Sequence, residues 1–283
     1  MGFVGKNLVR ELVSQHHVPI ILIRNGQEKL CTDLFDGRVK FVSVKNLMED
    51  ADYLNVSAVV NLAGKYWFEP NIEQIKLMID SNIELPALIA ERITRGGKNV
   101  TWIQASTFMQ HFNSAIYDPT CFYAATKQST EVVLKAFYDR GLLLKTLVLP
   151  HIFGEHDQRG KLLTYLIDQV SKSRAIKISS GRQIMDLVHV TDVVKAIIKC
   201  LSDDLPCGRY QVSSNKEITI LEILDHIAKQ VEIDIDVEVN ASEDRPRDTF
   251  EIWKCAPLLP GWGPSVDVFQ WITSQLDAAN DAQ

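Results

Sequence analysis

Apolar and polar positions follow two rhythms along this 283-residue chain. Val4, Leu8 and Leu12 recur every four residues and form one apolar stripe of a helix. Val18 to Ile23 is a short unbroken apolar run of strand type. Val39 to Val44 alternates, and Ala58 to Leu62, Val100 to Ile103 and Leu144 to Leu149 read as further strands. Helical spacing fills residues 72–94 and 122–140 between the later ones. Continuous apolar strands alternating with helices predict a doubly wound parallel α/β sheet covered on both faces. The ligand site of such a sheet lies beyond the carboxyl ends of its strands.

Past about residue 150 the rhythm loosens. Helices are expected at 161–172, 191–202 and 266–277, with a strand from Ile233 to Val239. Thr219-Ile-Leu-Glu222 has the spacing of a capping box and should open another helix. These elements predict a smaller carboxyl-terminal lobe over the ligand edge of the sheet. The division expected is residues 1–150 plus about 187–202 for a dinucleotide, and about 151–186 plus 203–283 for a substrate.

Composition narrows this picture. Hydrophobic residues make up 46% and charged residues 23%, enough apolar side chains for an ordinary folded core. A net charge of -6 without a basic block argues against nucleic acid. Anionic nucleotide ligands stay possible, because a few placed arginines can hold a diphosphate in an acidic protein. The five cysteines lack CxxC spacing and the seven histidines form no HxxH or HxxxH pair, so no metal site is expected. No apolar run has the length of a membrane span, and the amino terminus does not read as a signal peptide. A cytoplasmic location is the expectation.

Candidate chemistry concentrates in a few stretches. Tyr123-Ala-Ala-Thr-Lys127 places a phenol and an ammonium four residues apart, on one face of a helix. The cation favours the phenolate and lowers a pKa that is about 10 in the isolated side chain. Such a tyrosine can exchange a proton with a sugar hydroxyl or ketone. Ser106 lies 17 residues upstream, at the carboxyl end of a strand, with Thr107 as the second hydroxyl. Met1-Gly2-Phe3-Val4-Gly5 opens the first helix, where glycines let a backbone approach a phosphate drawn to the helix N-terminus. Arg24 follows the second strand, where an acidic residue favours NAD and an arginine suits the NADP phosphate.

In type, order and spacing, Ser106, Tyr123 and Lys127 resemble the Ser/Thr–Tyr–Lys triad of the extended short-chain dehydrogenases, the NAD-dependent epimerase/dehydratase family. The resemblance covers almost the whole chain. Gly2-Phe-Val-Gly5 resembles the end of the family's GxxGFxG fingerprint, which implies an internal methionine start about ten residues late and a missing first strand. Asn61-Leu-Ala-Gly64 resembles an HLAG-type turn, and Asn82 stands where the family keeps an asparagine beside the active site. His151-Ile-Phe-Gly154 resembles the NVYG segment that meets nicotinamide and sugar. Asp186-Leu-Val-His-Val-Thr-Asp192 matches RDFVHVxD except that Met185 replaces the arginine. Arg245-Pro-Arg-Asp248 is similar to RPGD, and Gly261-Trp-Gly-Pro264 to the closing LGWxP.

The resemblance implies a Rossmann-type fold and a nicotinamide cofactor, NADP on the evidence of Arg24 and otherwise NAD. The cofactor would meet Gly2, Phe3, Val4, Gly5, Arg24, Leu62, Ala63, Gly64, Tyr123, Lys127 and His151. A nucleotide-linked sugar would meet Ser106, Thr107, His151, Arg182 and Arg245, with Arg182 or Arg247 making good the arginine lost at Met185. The reaction implied is 4-keto-6-deoxysugar reduction or 4-epimerisation, as in bacterial O-antigen synthesis, by a homodimer. Dehydration is disfavoured, because Ser106 is followed by Thr107-Phe108 and not by the Asp-Glu pair of the 4,6-dehydratases. The rivals are a small-molecule ketone reductase of dihydroflavonol type and a non-catalytic binding protein. Arg245-Pro-Arg and Gly-Trp-Gly-Pro argue against the first, and the intact triad against the second.

Overall fold

The computed structural model describes residues 1–23, 37–49, 56–172, 174–202, 204–231 and 235–281. They belong to two units. The first comprises Met1–Thr107, Cys121–Leu147 and Ile197–Arg209; the second comprises Phe108–Thr120, Val148–Ala196 and Tyr210–Gln283.

The first unit opens with α1 (Phe3–Ser14), whose apolar stripe buries Leu8, Val9 and Val13. Val9 and Val13 pack on Val39, Ile21 and Phe41 of the strands that follow. Strands β1 (Ile20–Ile23) and β2 (Lys40–Ser43) pair in parallel, and α2 (Val44–Glu49) continues from β2. Strand β3 (Ala58–Asn61) is parallel to β4 (Val100–Thr107), with Ala58 opposite Thr101 and Asn61 opposite Gln104. With β5 (Leu142–Leu149) and β10 (Gly208–Gln211) they form a sheet in the order β10-β5-β4-β3. The parallel pairs with intervening helices are the architecture that the apolar runs predict.

All eight residues of β4 are buried. The strand runs four residues further than its apolar stretch because polar partners meet inside the sheet. Gln104, fully buried, accepts from Asn61 Nδ2 at 2.8 Å and from Trp102 Nε1 at 3.2 Å. Buried polar groups of this kind are tolerated only when bonded.

The single helix expected over 72–94 is interrupted. Helix α3 (Ile72–Ile79), closed at its start by a capping box between Asn71 and Gln74, leads into a π-helical turn (Asp80–Glu84) and then α4 (Leu85–Thr94). Pro86 has no N–H to give to the carbonyl of residue 82. The Asn82 carbonyl instead accepts from the Thr130 hydroxyl on α5 (Phe122–Lys135). Such π turns often mark functional sites, and this one presents Asn82.

The second unit holds β6 (His151–Phe153), α6 (Leu162–Ser171), β7 (Ile176–Lys177), β8 (Ile184–Met185), β9 (Leu187–His189) and α7 (Val190–Cys200). After them come β11 (Ile218–Thr219), α8 (Ile220–Val231), β12 (Val237–Glu238) and α9 (Val268–Asp281). Strands β6 and β9 are parallel, as are β7 and β12, whereas β8 and β11 are antiparallel. The core joins Phe153, Leu166, Ile176, Ile223, Ile227 and Ile272. The capping box forms as expected: Glu222 accepts from Thr219 N at 2.7 Å, and Thr219 Oγ1 accepts from Glu222 N at 3.0 Å.

Candidate active site

Helix α5 places Tyr123 and Lys127 one turn apart on the same face, with Lys127 Nζ 5.8 Å from the centre of the phenol ring. The Tyr123 ring also meets Tyr66 edge-on at 5.0 Å. Lys127 is 3% exposed, and its ammonium donates to the Ala63 carbonyl at 3.1 Å. Burial pulls its pKa down to about 8, against the opposing field of Glu131.

The turn after β3 is shaped around this ammonium. A Cβ on Gly64 would stand 3.2 Å from Lys127 Nζ and 3.4 Å from Asn82 Oδ1, so a side chain there would crowd both. Asn82 clamps the turn: Oδ1 accepts from Lys65 N at 2.7 Å, and Nδ2 donates to Lys65 O at 3.0 Å and to Thr126 Oγ1 at 2.9 Å. Leu62 and Ala63 complete the turn, Ala63 N donating to Asn61 Oδ1 at 3.2 Å. The residues that the motifs single out on β3, the π turn and α5 therefore converge in one unit.

Ser106 is placed differently from a hydroxyl facing outward. It is 4% exposed, and its Oγ donates to Glu131 Oε1 at 2.5 Å. Glu131, itself 5% exposed, also pairs with Arg209 Nη1 at 2.8 Å. The Ser106 proton is thus committed to a carboxylate. Thr107, the next residue along β4, points to the opposite face. Glu131 escaped the sequence reading because a glutamate on a helix ordinarily faces solvent. Its signal was the spacing of four from Lys127.

Gly2 caps α1 in an extended conformation and without a side-chain hydrogen bond; Phe3, Val4 and Gly5 form the first helical turn. The backbone amides of that turn are disposed as a phosphate requires. Arg24 lies outside the described residues. The fit to a nicotinamide dinucleotide rests on Lys127: three donor protons, one of them directed at Ala63, beside a glycine whose missing side chain leaves the approach open. Lys127, Tyr123, the 62–64 turn and the α1 amides are the groups that would hold such a cofactor.

Within the second unit, His151 starts β6 and packs at a tilt of 54° against Phe108, ring centres 4.7 Å apart. Burial first, and then the charge of Lys161, lower its pKa to about 4, so the imidazole is neutral at pH 7. It lines a recess with Phe108, Asp186, Thr249, Glu251 and Trp253. Lys161, at the start of α6, has its pKa lowered by partial burial and then by Arg159, with Arg245 adding to the effect. Three cationic side chains therefore gather here, of which Arg159 also pairs with Asp157. The RPGD-like motif singles out Arg245, whereas no motif flags Lys161. Arg247 pairs with Asp118 and lies 4.4 Å over the Phe112 ring. The backbone of Arg182 donates to Ser180 Oγ at 3.3 Å and its side chain is exposed.

The Asp186–Asp192 stretch proves to be an anchor. Asp186 Oδ1 accepts from Ser214 N and Oγ at 2.8 and 2.7 Å. Asp192, fully buried, accepts from Ser265 N (2.8 Å), Ser265 Oγ (2.6 Å), Val266 N (3.0 Å) and Lys195 (2.9 Å). Trp262 of the Gly-Trp-Gly-Pro stretch donates to the Asp192 carbonyl at 3.0 Å. The two motifs hold each other. Among the described residues there is no cluster of metal-ligating side chains and no helix long and apolar enough to cross a membrane.

The profile of the NAD dependent epimerase/dehydratase family matches residues 1–212. The chain belongs to that family. A CDP-abequose synthase of Salmonella muenchen is 23% identical over 97% of this chain and 94% of its own length. Among solved structures, the UDP-N-acetylglucosamine 4-epimerase from Methanobrevibacter ruminantium M1, in complex with UDP-N-acetylmuramic acid, superposes with a TM-score of 0.80 at 20% identity, covering 100% of this chain and 96% of that one. The Thermus thermophilus UDP-glucose 4-epimerase, in complex with NAD, gives 0.78 at 20% identity, covering 100% and 97%. At these identities the superpositions show the Rossmann-like fold.

Proposed function

We propose that this chain is a nicotinamide-dependent oxidoreductase of nucleotide-linked sugars, a 4-keto-6-deoxysugar reductase in preference to a 4-epimerase. The observation that carries the reading is the buried Lys127 ammonium, held between Tyr123 and the Gly64 turn. A nicotinamide dinucleotide, when bound, supplies hydride exchange. Tyr123 gives or takes the proton at the sugar oxygen, and Lys127 stabilises the phenolate and offers its remaining N–H groups to ribose hydroxyls. Because Ser106 spends its proton on Glu131, Thr107 is the better candidate for the hydroxyl that donates to the reacting oxygen.

Lys161, Arg245 and Arg182 on the second unit suit the diphosphate of the sugar nucleotide, and neutral His151 the sugar. The first unit would carry the dinucleotide and the second the sugar nucleotide. Phe108, ringed by His151 and Trp253, offers no carboxylate for elimination, which argues against dehydration. The likeness to CDP-abequose synthase favours a cytidine diphosphate carrier and a place in surface polysaccharide synthesis. Arg24, which directly follows Ile23 in the sequence, favours NADP over NAD. The exposed Ile72, Leu88 and Val132 on α3, α4 and α5 favour a homodimer.

The test is incubation with NADPH or NADH and a panel of CDP-, UDP- and dTDP-linked 4-keto-6-deoxysugars. A reductase consumes one reduced cofactor per product. An epimerase interconverts the corresponding hydroxy sugars with no net consumption, and turnover of simple ketones alone would favour the dihydroflavonol-type rival.

A further inference from the structure

A buried carboxylate outside the triad accepts from one end of it and lies one helical turn from the other. Glu131 lies one turn beyond Lys127 on α5, so its side chain shares the face on which the ammonium is buried. It accepts the Ser106 proton from β4 and pairs with Arg209, whose strand borders β5. We propose that Glu131 is a positioning residue: it fixes the Ser106 hydroxyl and supplies the negative charge that keeps the desolvated Lys127 protonated, with Arg209 setting how much of that charge Lys127 feels.

The surroundings leave this role to Glu131. Among the described residues, the other groups against Lys127 are neutral: the Ala63 carbonyl and Gly64 from the turn after β3, Asn82 from the π turn, and Tyr123 from α5. Glu131 is the charged side chain whose field opposes the desolvation of Lys127. Glu131 itself faces Ser106 from β4, Arg209 from β10 and Lys127 along α5, and its charge also raises the Tyr138 pKa just beyond the helix, after burial and Cys207. A carboxylate within a few ångströms typically moves a neighbouring pKa by about 1–3.

The inference deepens the proposed use of Lys127 as a cofactor ligand, yet its first test needs neither cofactor nor sugar. Lysine ε-carbons are labelled with 13C, the Lys127 signal is assigned by its loss in Lys127→Arg, and its titration is followed by NMR. Glu131→Gln should lower the Lys127 midpoint by about one pH unit. Arg209→Met, which unmasks the carboxylate, should raise it. Two variants at the same ion pair moving one lysine in opposite directions is an outcome that loss of packing alone does not give. If Glu131→Gln fails to fold because Arg209 is left alone, Glu131→Gln/Arg209→Met removes both charges and should lower the midpoint as well. In a cofactor titration at pH 8, Glu131→Gln should weaken binding about fivefold, the loss expected when the protonated fraction falls with a midpoint one unit lower. An unmoved Lys127 midpoint in Glu131→Gln or the double variant, or shifts of the same sign in both single variants, would overturn the proposal. Absence of turnover with every sugar would refute the proposed function and leave the titration result standing.

Discussion

Lys127 and Asp192 are both buried charged groups inside motif-bearing stretches, and they are satisfied in opposite ways. Asp192 collects four hydrogen bonds from Lys195, Ser265 and Val266, all within its own unit. Lys127 donates one, to Ala63, and faces a turn kept clear by Gly64. A buried charge whose partners are complete fastens one segment to another. A buried charge with donors in hand, beside a glycine that leaves room, is placed for a molecule that arrives later. Motif similarity alone does not separate these cases; the hydrogen-bond inventory does.

The largest effect that would break the comparison is on turnover. Lys127→Met should reduce activity by about 10²–10⁴-fold, comparable to loss of the proton-transfer group itself, and should weaken cofactor binding. Its stability effect has a definite sign with pH. The folded-state pKa of about 8 lies below the ordinary 10.5, so the unfolded chain binds the extra proton between those values and unmutated protein gains stability as pH rises through that window. At about 1.4 kcal/mol per pH unit, urea unfolding should show the unmutated chain gaining roughly 3 kcal/mol on Lys127→Met between pH 8 and 10.5. A constant difference would mean that the ammonium is not desolvated.

Asp192→Ala should do the reverse, costing about 1–3 kcal/mol of stability because it leaves the Ser265 and Val266 amides without their acceptor, while folded molecules keep their turnover. Burial alone would raise the Asp192 pKa, but its hydrogen bonds with Ser265 and Lys195 carry it below the usual value. Its contribution is therefore present above about pH 4 and lost as pH falls through the folded value. Acid unfolding of the unmutated chain should show this loss and Asp192→Ala should not. Equal melting temperatures for the two proteins would contradict the anchor.

Which parts of this were open to reading from residues alone follows from where polar groups go. Apolar periodicity located β1 to β5 and most of the helices, since burial imposes it; the short α2 (Val44–Glu49) was not expected, and α8 was expected from its capping box. It missed the break at Asp80–Glu84, because the pattern of apolar residues continues through a π turn and only Pro86 betrays the missing donor. It ended β4 too early, because Gln104, Ser106 and Thr107 look like surface residues until their internal partners are known. Tyr123 and Lys127 were singled out by their spacing, and Gly64 and Asn82 by their resemblance to family motifs. Glu131 and Lys161 were not, since a charged residue on a helix or at its start usually meets water.

Smaller effects sharpen the site. Gly64→Ala should weaken cofactor binding several-fold with little change in fold, as the added methyl must displace Lys127 Nζ from 3.2 Å; calorimetric titration would show it, and unchanged affinity would mean that the turn is not part of the cofactor site. Of the two hydroxyls, Thr107→Val should lower kcat more than Ser106→Ala, whose proton belongs to Glu131. The reverse order would return the donating role to Ser106.

The most direct measurement is the turnover of a nucleotide-linked 4-keto sugar by Tyr123→Phe, read beside its melting temperature. Phenylalanine keeps the ring and its edge contact with Tyr66 while removing the proton that is exchanged. A fall of about 10²–10⁴-fold with an almost unchanged melting temperature is the expected result. Turnover at the unmutated rate would show that Tyr123 and Lys127 sit together without doing this chemistry.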